Sequence, residues 1–128
     1  MSGNSLLLDT NIILYLLSGD TDLSDLLYKR KLYVSFITQL ELLGYSELTE
    51  KSKKVISGFL NECVVIDINS SIKEKTIDIR QKHAVKLPDA IIMATSIFLD
   101  VPLITADKEM TKVEEVNVIL YAKNDTER

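Results

Sequence analysis

Short apolar runs alternate along this chain with longer stretches of helical period, and that alternation constrains the fold more than any other feature. The runs Leu6–Leu8, Leu32–Val34, Val64–Ile66, Leu103–Thr105 and Val116–Leu120 are built mainly from Val, Ile and Leu, as strands buried on both faces should be. Between them, Asn11–Leu17 and Leu23–Lys29 read as two short helices broken by Gly19 and Asp20, and Ile37–Leu48 and Ser52–Asn61 as the next pair. Ser70–His83 is amphipathic, with Ile72, Ile79 and the methyl of Thr76 on one side and Lys and Glu on the other. Ala90–Leu99 is apolar on nearly every side, so this helix belongs in the centre of the domain, with Pro88 in its first turn and Asp100-Val101-Pro102 ending it. The expected architecture is α/β: a three-layer sandwich with a short central parallel sheet of four to five strands flanked by helices.

A chain of 128 residues holds one hydrophobic core unit, expected over residues 1–123, with 124–128 as a polar tail. The single histidine, His83, and single cysteine, Cys63, exclude His-pair catalysis, Cys/His zinc cages and an intrachain disulfide. Gly3, Gly19, Gly44 and Gly58 are too far apart for a Walker loop or a GxGxxG turn. What remains in quantity is carboxylate, 19 Asp plus Glu against 15 Lys plus Arg, for a formal charge of -4. Such a balance repels nucleic acid unless the excess acid is gathered in a pocket and neutralised by a divalent cation. The opening residues lack a basic leader, and Asp9, Thr10 and Asn11 interrupt the stretch Leu6–Leu17, so a cytoplasmic location is expected.

In an open parallel sheet, functional groups gather beyond the carboxyl ends of the strands. Asp9 follows the first strand directly, Asp107 follows the fourth after one residue, Asp89 stands at the start of the buried helix, and Glu41 lies one turn into the helix after the second strand. Each has an ordinary alternative. An Asp between strand and helix commonly caps the helix, and Thr38-Gln39-Leu40-Glu41 fits a capping box. Yet Glu41 shares a helical stripe with Ile37, Leu40, Gly44 and Leu48, expected to face the core, where a carboxylate needs a partner or a metal. Four acids from four segments repel one another, and a divalent cation is the usual way to keep them ionised. Oxygen ligands without His or Cys suit Mg²⁺ or Mn²⁺, and such a site performs phosphodiester hydrolysis.

At these residues the sequence resembles the PIN-domain ribonucleases, most of all the VapC-type toxins of toxin–antitoxin pairs. Leu7-Leu8-Asp9-Thr10-Asn11-Ile12 resembles the family's D-T-N segment, and Ser35-Phe36-Ile37-Thr38-Gln39-Leu40-Glu41-Leu42 its S-x-x-T-x-x-E-L segment. Pro88-Asp89-Ala90 and Leu103-Ile104-Thr105-Ala106-Asp107-Lys108 match the third and fourth. The resemblance implies a metal-dependent endoribonuclease in which Asp9, Glu41, Asp89 and Asp107 surround Mg²⁺ or Mn²⁺. It implies supporting roles for Asn11 and Thr105, with helix capping and strand-end hydrogen bonding as their alternatives. It also implies a homodimer and a small antitoxin partner that covers the acidic pocket.

With that resemblance, the basic groups Lys29-Arg30-Lys31, Lys51-Lys53-Lys54, Arg80-Lys82-His83-Lys86 and Lys108-Lys112 read either as solvated faces or as a rim for the RNA backbone. Lys108, Lys86 and Arg80 are the candidates for RNA binding. His83 is expected at a surface or helix end without a partner, Cys63 as a buried small hydrophobe, and the five tyrosines mainly in core or dimer packing. Two rival readings share the fold class: a PIN fold that binds RNA or protein without catalysis, and a phosphorelay receiver domain with Asp67 as phosphate acceptor and Lys123 after the last strand.

Overall fold

The computed structural model describes residues 3–123, so the expected tail at 124–128 lies outside the described residues. Five strands, β1 (Ser5–Leu8), β2 (Lys31–Ser35), β3 (Val64–Ile66), β4 (Leu103–Thr105) and β5 (Val118–Leu120), pair in parallel in the order β3-β2-β1-β4-β5. The chain thus starts in the middle, runs outward through β2 and β3, and returns to the other side of β1. The topological switch point lies between β1 and β4, where the loops diverge and open a crevice at the strands' carboxyl ends.

Leu6 and Leu8 of β1 pack on one face of the sheet, against Ile12, Ile13, Leu23, Leu42 and Ile56, while Leu7 packs on the other against Ile72, Ile79, Ile92 and Met93. This period-two alternation of one strand feeds two separate cores and makes the three layers. Burial on both faces holds for the central strands β1 and β4 and fails at the edges, where Val64, Ile119 and Leu120 are more than two-fifths exposed. Strand β5 also begins later than its apolar run suggests, because Val116 is buried in the turn that precedes it.

The helices are α1 (Thr10–Leu17), α2 (Thr21–Leu27), α3 (Phe36–Leu43), α4 (Glu50–Asn61), α5 (Ser70–Lys82) and α6 (Leu87–Leu99). Asp9, Asp20, Ser35, Thr49 and Asn69 cap the first five through side-chain oxygens. Helix α6 begins at Leu87 with Pro88 in its first turn and buries Ala90 and every residue from Ile92 to Ser96, as its all-round apolarity requires. It stops where Asp100 turns left-handed at φ 55°. Helix α3 departs from expectation: it ends at Leu43, not Leu48, and buries Thr38 and Leu42 while Leu40 is 57% exposed. Glu41 therefore lies on an exposed side of α3, not on a core-facing stripe. A 3₁₀ turn, Lys108–Lys112, follows β4 and was not signalled by hydrophobic period. Among the described residues no helix is long and apolar enough to cross a membrane.

Candidate active site

Asp9 is the first residue beyond β1, and its N–H donates to Ile104 O at 3.0 Å, so pairing with β4 fixes its backbone. Asp9 is 4% exposed. Oδ1 accepts from the Thr10 N–H at 2.8 Å and Oδ2 from the Thr105 hydroxyl at 2.5 Å. The capping role is real, and it coexists with a second contact that reaches across the switch point. The Thr105 oxygen in turn accepts from the Asp107 N–H at 3.0 Å, so one buried hydroxyl ties the ends of both central strands. Asp107 also caps the 3₁₀ turn through Oδ1, which accepts from the Glu109 N–H at 2.9 Å. Asn11 Oδ1 accepts from the Ala106 N–H at 3.3 Å and pins the loop after β4.

Glu41 approaches from α3, its Oε1 accepting from the Thr10 hydroxyl at 2.7 Å. Asp89 comes from the first turn of α6 and is not its cap: Lys86 holds that position and makes no side-chain capping bond. The capping explanation thus fails for Asp89, whose half-buried carboxylate lines a cleft of about 250 Å³ with Lys86 and Asp107. Glu41 and Thr10 line a neighbouring cleft of about 320 Å³.

Electrostatics link the four acids. Burial pushes the Asp9 carboxyl above its usual range, the Thr105 and Thr10 hydrogen bonds oppose that rise, and the charges of Glu41 and Asp107 add to it. Asp89 is raised first by burial and then by Asp9, Asp107 and Glu41, with Lys86 opposing. Asp9 and Asp89 therefore both lie within the field of Glu41 and Asp107, and Asp89 within that of Asp9. Among the described residues, no three Asp, Glu, His or Cys side chains are drawn together as a ready-made metal cage. Each Asp9 oxygen and Glu41 Oε1 accepts one hydrogen bond, which leaves further lone pairs on both carboxylates for a cation. The donor set is all oxygen and loosely spaced, which fits a hard cation that retains several waters, as Mg²⁺ does, and not a tetrahedral zinc site.

A family model described as the PIN domain matches residues 6–116. The chain belongs to the PIN domain family. Among solved structures it is similar to a toxin–antitoxin complex from Klebsiella pneumoniae, at 28% identity and TM-score 0.79, covering 93% of this chain and 99% of that one. It is similar to VapBC-1 from nontypeable Haemophilus influenzae, at 26% identity and TM-score 0.73, covering 91% and 97%. VapBC2 from Rickettsia felis, bound to a DNA fragment from its promoter, shares the fold at 20% identity and TM-score 0.78, covering 92% and 99%. No curated protein sequence matches.

Within this PIN domain the remaining sequence candidates separate by position. Lys86 is at the cleft, in the field of Asp89. Lys108 follows Asp107 and is exposed. Arg80 is exposed in the last turn of α5 and is not part of the cleft lining. Asp67 lies beyond the edge strand β3, separated from Asp9 by β2, and the strand order differs from the 2-1-3-4-5 of receiver domains, so the receiver reading is wrong on topology. His83 does have a partner, Glu115 Oε1 at 3.0 Å, and Cys63 is half-buried, with burial pushing its thiol up to about 11. Tyr28 and Tyr45 are exposed, at 72% and 59%, so neither is a core residue. Tyr15 and Tyr121 pack ring against ring, and the Tyr121 hydroxyl donates to Asp20 at 2.8 Å. The capping box read at Thr38–Glu41 is not formed, because Ser35 caps α3 and Thr38 lies buried inside it, while Thr10 is marked in the sequence only as part of the D-T-N segment.

Proposed function

We propose that this PIN domain is a metal-dependent endoribonuclease, hydrolysing RNA phosphodiester bonds, and that it is the toxin of a toxin–antitoxin pair. The observation that supports the reading best is that hydrogen bonds through Thr105 and Thr10 link Asp9 to Asp107 and to Glu41, while Asp89 and Asp107 line one cleft beside them. These four would hold Mg²⁺ or Mn²⁺. When bound, the ion polarises a phosphate oxygen and lowers the pKa of water, which supplies the hydrolytic chemistry.

The chain's own groups do the rest. Thr105 and the Thr10 N–H fix both oxygens of Asp9, so the carboxylate is oriented before substrate arrives. Asn11 holds the loop that carries Asp107. Lys86 at the cleft and Lys108 beside it contact phosphates flanking the scissile one, and Arg80 extends the track along α5. Setting the four site acids apart leaves 15 acids against 15 bases, so the net charge of -4 does not oppose RNA once the site is neutralised.

The antitoxin reading is supported by the Klebsiella relative, itself a toxin–antitoxin complex, and by an apolar groove beside Glu41. Leu14, Leu42, Tyr45, Leu48 and Ile56 line that groove, with Leu14 half exposed. A second cleft of about 460 Å³ shares Leu14 and Ile56 and extends the groove past Val55. A small partner lying there ends at the acidic pocket. A homodimer in the cytoplasm completes this reading, and sedimentation of the purified chain measures the dimer.

The test is cleavage of RNA by purified chain with Mg²⁺ or Mn²⁺, with chelator, and by Asp9→Asn and Asp89→Asn. Metal-dependent cleavage lost in both folded variants is the expected result. Equal cleavage by wild type and Asp9→Asn refutes the assignment, and a folded, metal-supplied wild type that binds RNA without cutting it is an inactive PIN module. Expression without a partner protein is expected to arrest bacterial growth; unaffected growth refutes the toxin role.

A further inference from the structure

Glu41 projects from an exposed side of α3, where a flexible carboxylate ordinarily samples many rotamers. Here it is held. Thr10 Oγ1 lies 2.7 Å from Glu41 Oε1 and 3.1 Å from Thr38 Oγ1, and Thr38 is fully buried one turn before Glu41. An ionised carboxylate only accepts, and a hydroxyl has one proton, so Thr10 donates to Glu41 and the Thr38 hydroxyl donates to Thr10. The result is a directed chain, Thr38 to Thr10 to Glu41, running from the core to the site. Thr10 also donates its backbone N–H to Asp9 Oδ1 at 2.8 Å. One residue therefore grips two acids that reach the site from different segments, Asp9 from the end of β1 and Glu41 from α3.

We propose that Thr10, oriented by Thr38, is the positioning residue that brings Glu41 into register with Asp9 for binding a divalent cation. The proposal rests on the metal-dependent reading above. Partners that orient a metal ligand from outside the coordination shell commonly contribute about 10- to 100-fold to metal affinity. Val is the matching probe, since it keeps the β-branched shape of Thr and the backbone N–H to Asp9 while deleting only the hydroxyl.

The experiment is Mn²⁺ titration of the full chain, followed by calorimetry and by loss of the free-Mn²⁺ paramagnetic signal, for wild type, Thr10→Val, Thr10→Ser, Thr38→Val and Glu41→Gln, with circular dichroism reporting fold. The expected result is a Mn²⁺ Kd raised about 10- to 100-fold in Thr10→Val and in Glu41→Gln. Thr10→Ser should stay near wild type and Thr38→Val should shift in the same direction as Thr10→Val. Combining Thr10→Val with Glu41→Gln should add little to Glu41→Gln alone, because Thr10 acts through the Glu41 carboxylate that the Gln variant no longer supplies. Wild-type affinity in folded Thr10→Val and Thr38→Val alongside weakened Glu41→Gln overturns the positioning role and leaves the metal site standing. Full affinity in Glu41→Gln overturns it as well, and absence of Mn²⁺ binding by wild type overturns the metal-dependent reading together with this inference.

Discussion

Replacing Thr105 by Val isolates the hydroxyl that links the two central strands at the switch point. Thr105 is fully buried, and Val fills the same volume, so no cavity forms. Two hydrogen bonds disappear: the donation to Asp9 Oδ2 at 2.5 Å and the acceptance from the Asp107 N–H at 3.0 Å. A hydrogen bond to a charged group contributes about 1.5–3 kcal/mol, and a neutral one about 1 kcal/mol, so the metal-free protein should lose about 2–4 kcal/mol at neutral pH. The loss depends on pH with a definite sign. Burial raises the folded-state pKa of Asp9 above 3.8, so the stability tied to this group is present below 3.8 and lost as pH rises through the folded value. The Thr105 bond favours the ionised form, and its removal raises the folded pKa further. The difference between Thr105→Val and wild type should therefore be largest at neutral pH and shrink on acidification toward 3.8. Urea unfolding with chelator present, across a pH series, measures both curves. A difference below about 0.5 kcal/mol at pH 7, or one that does not change with pH, refutes the role given to this hydroxyl.

Asp89→Asn should raise the urea midpoint of the metal-free protein at pH 7, with the gain fading as pH falls through the raised folded pKa, because burial and neighbouring acids disfavour its charge. Mg²⁺ at about 100 times its Kd should stabilise wild type by about 2.7 kcal/mol in thermal unfolding, and Asp89→Asn by clearly less. Lys86→Ala should weaken binding to single-stranded RNA and reduce the slope of log K against log salt by about 0.7 per lost phosphate contact, measured by fluorescence anisotropy. Asp100→Gly should stabilise the fold by up to about 1 kcal/mol in urea unfolding, since Asp100 adopts φ 55°, where a Cβ is costly.

The strands β3 and β4 were legible to the residue because short Val/Ile/Leu runs between helical segments admit few other readings. The start of β5 was not, since Val116 is apolar for a turn-packing reason that looks the same in sequence. Helix α3 shows a sharper limit. Ile37, Leu40, Gly44 and Leu48 have helical spacing, but the helix ends at Leu43 and leaves Leu40 facing outward, so period alone assigned the wrong buried side. The positions of Asp9 and Asp107 were legible because strand ends mark the place where a parallel sheet gathers chemistry, and both residues stand just beyond β1 and β4. The Thr38–Thr10–Glu41 chain was beyond reach, because it depends on α1 and α3 lying side by side. His83 with Glu115 is the same case: two residues far apart in sequence, joined only by the fold.

A crystal of the protein soaked in Mn²⁺, examined by anomalous scattering at the manganese edge, tests the central claim most directly. The expected result is an anomalous peak at the carboxyl ends of β1 and β4, coordinated by Asp9 with oxygens of the neighbouring acids Asp89, Asp107 or Glu41, and absent from Asp9→Asn crystals. A peak elsewhere on the molecule, or no peak at the four acids in crystals saturated with Mn²⁺, contradicts the claim and returns Asp9 and Asp107 to helix capping.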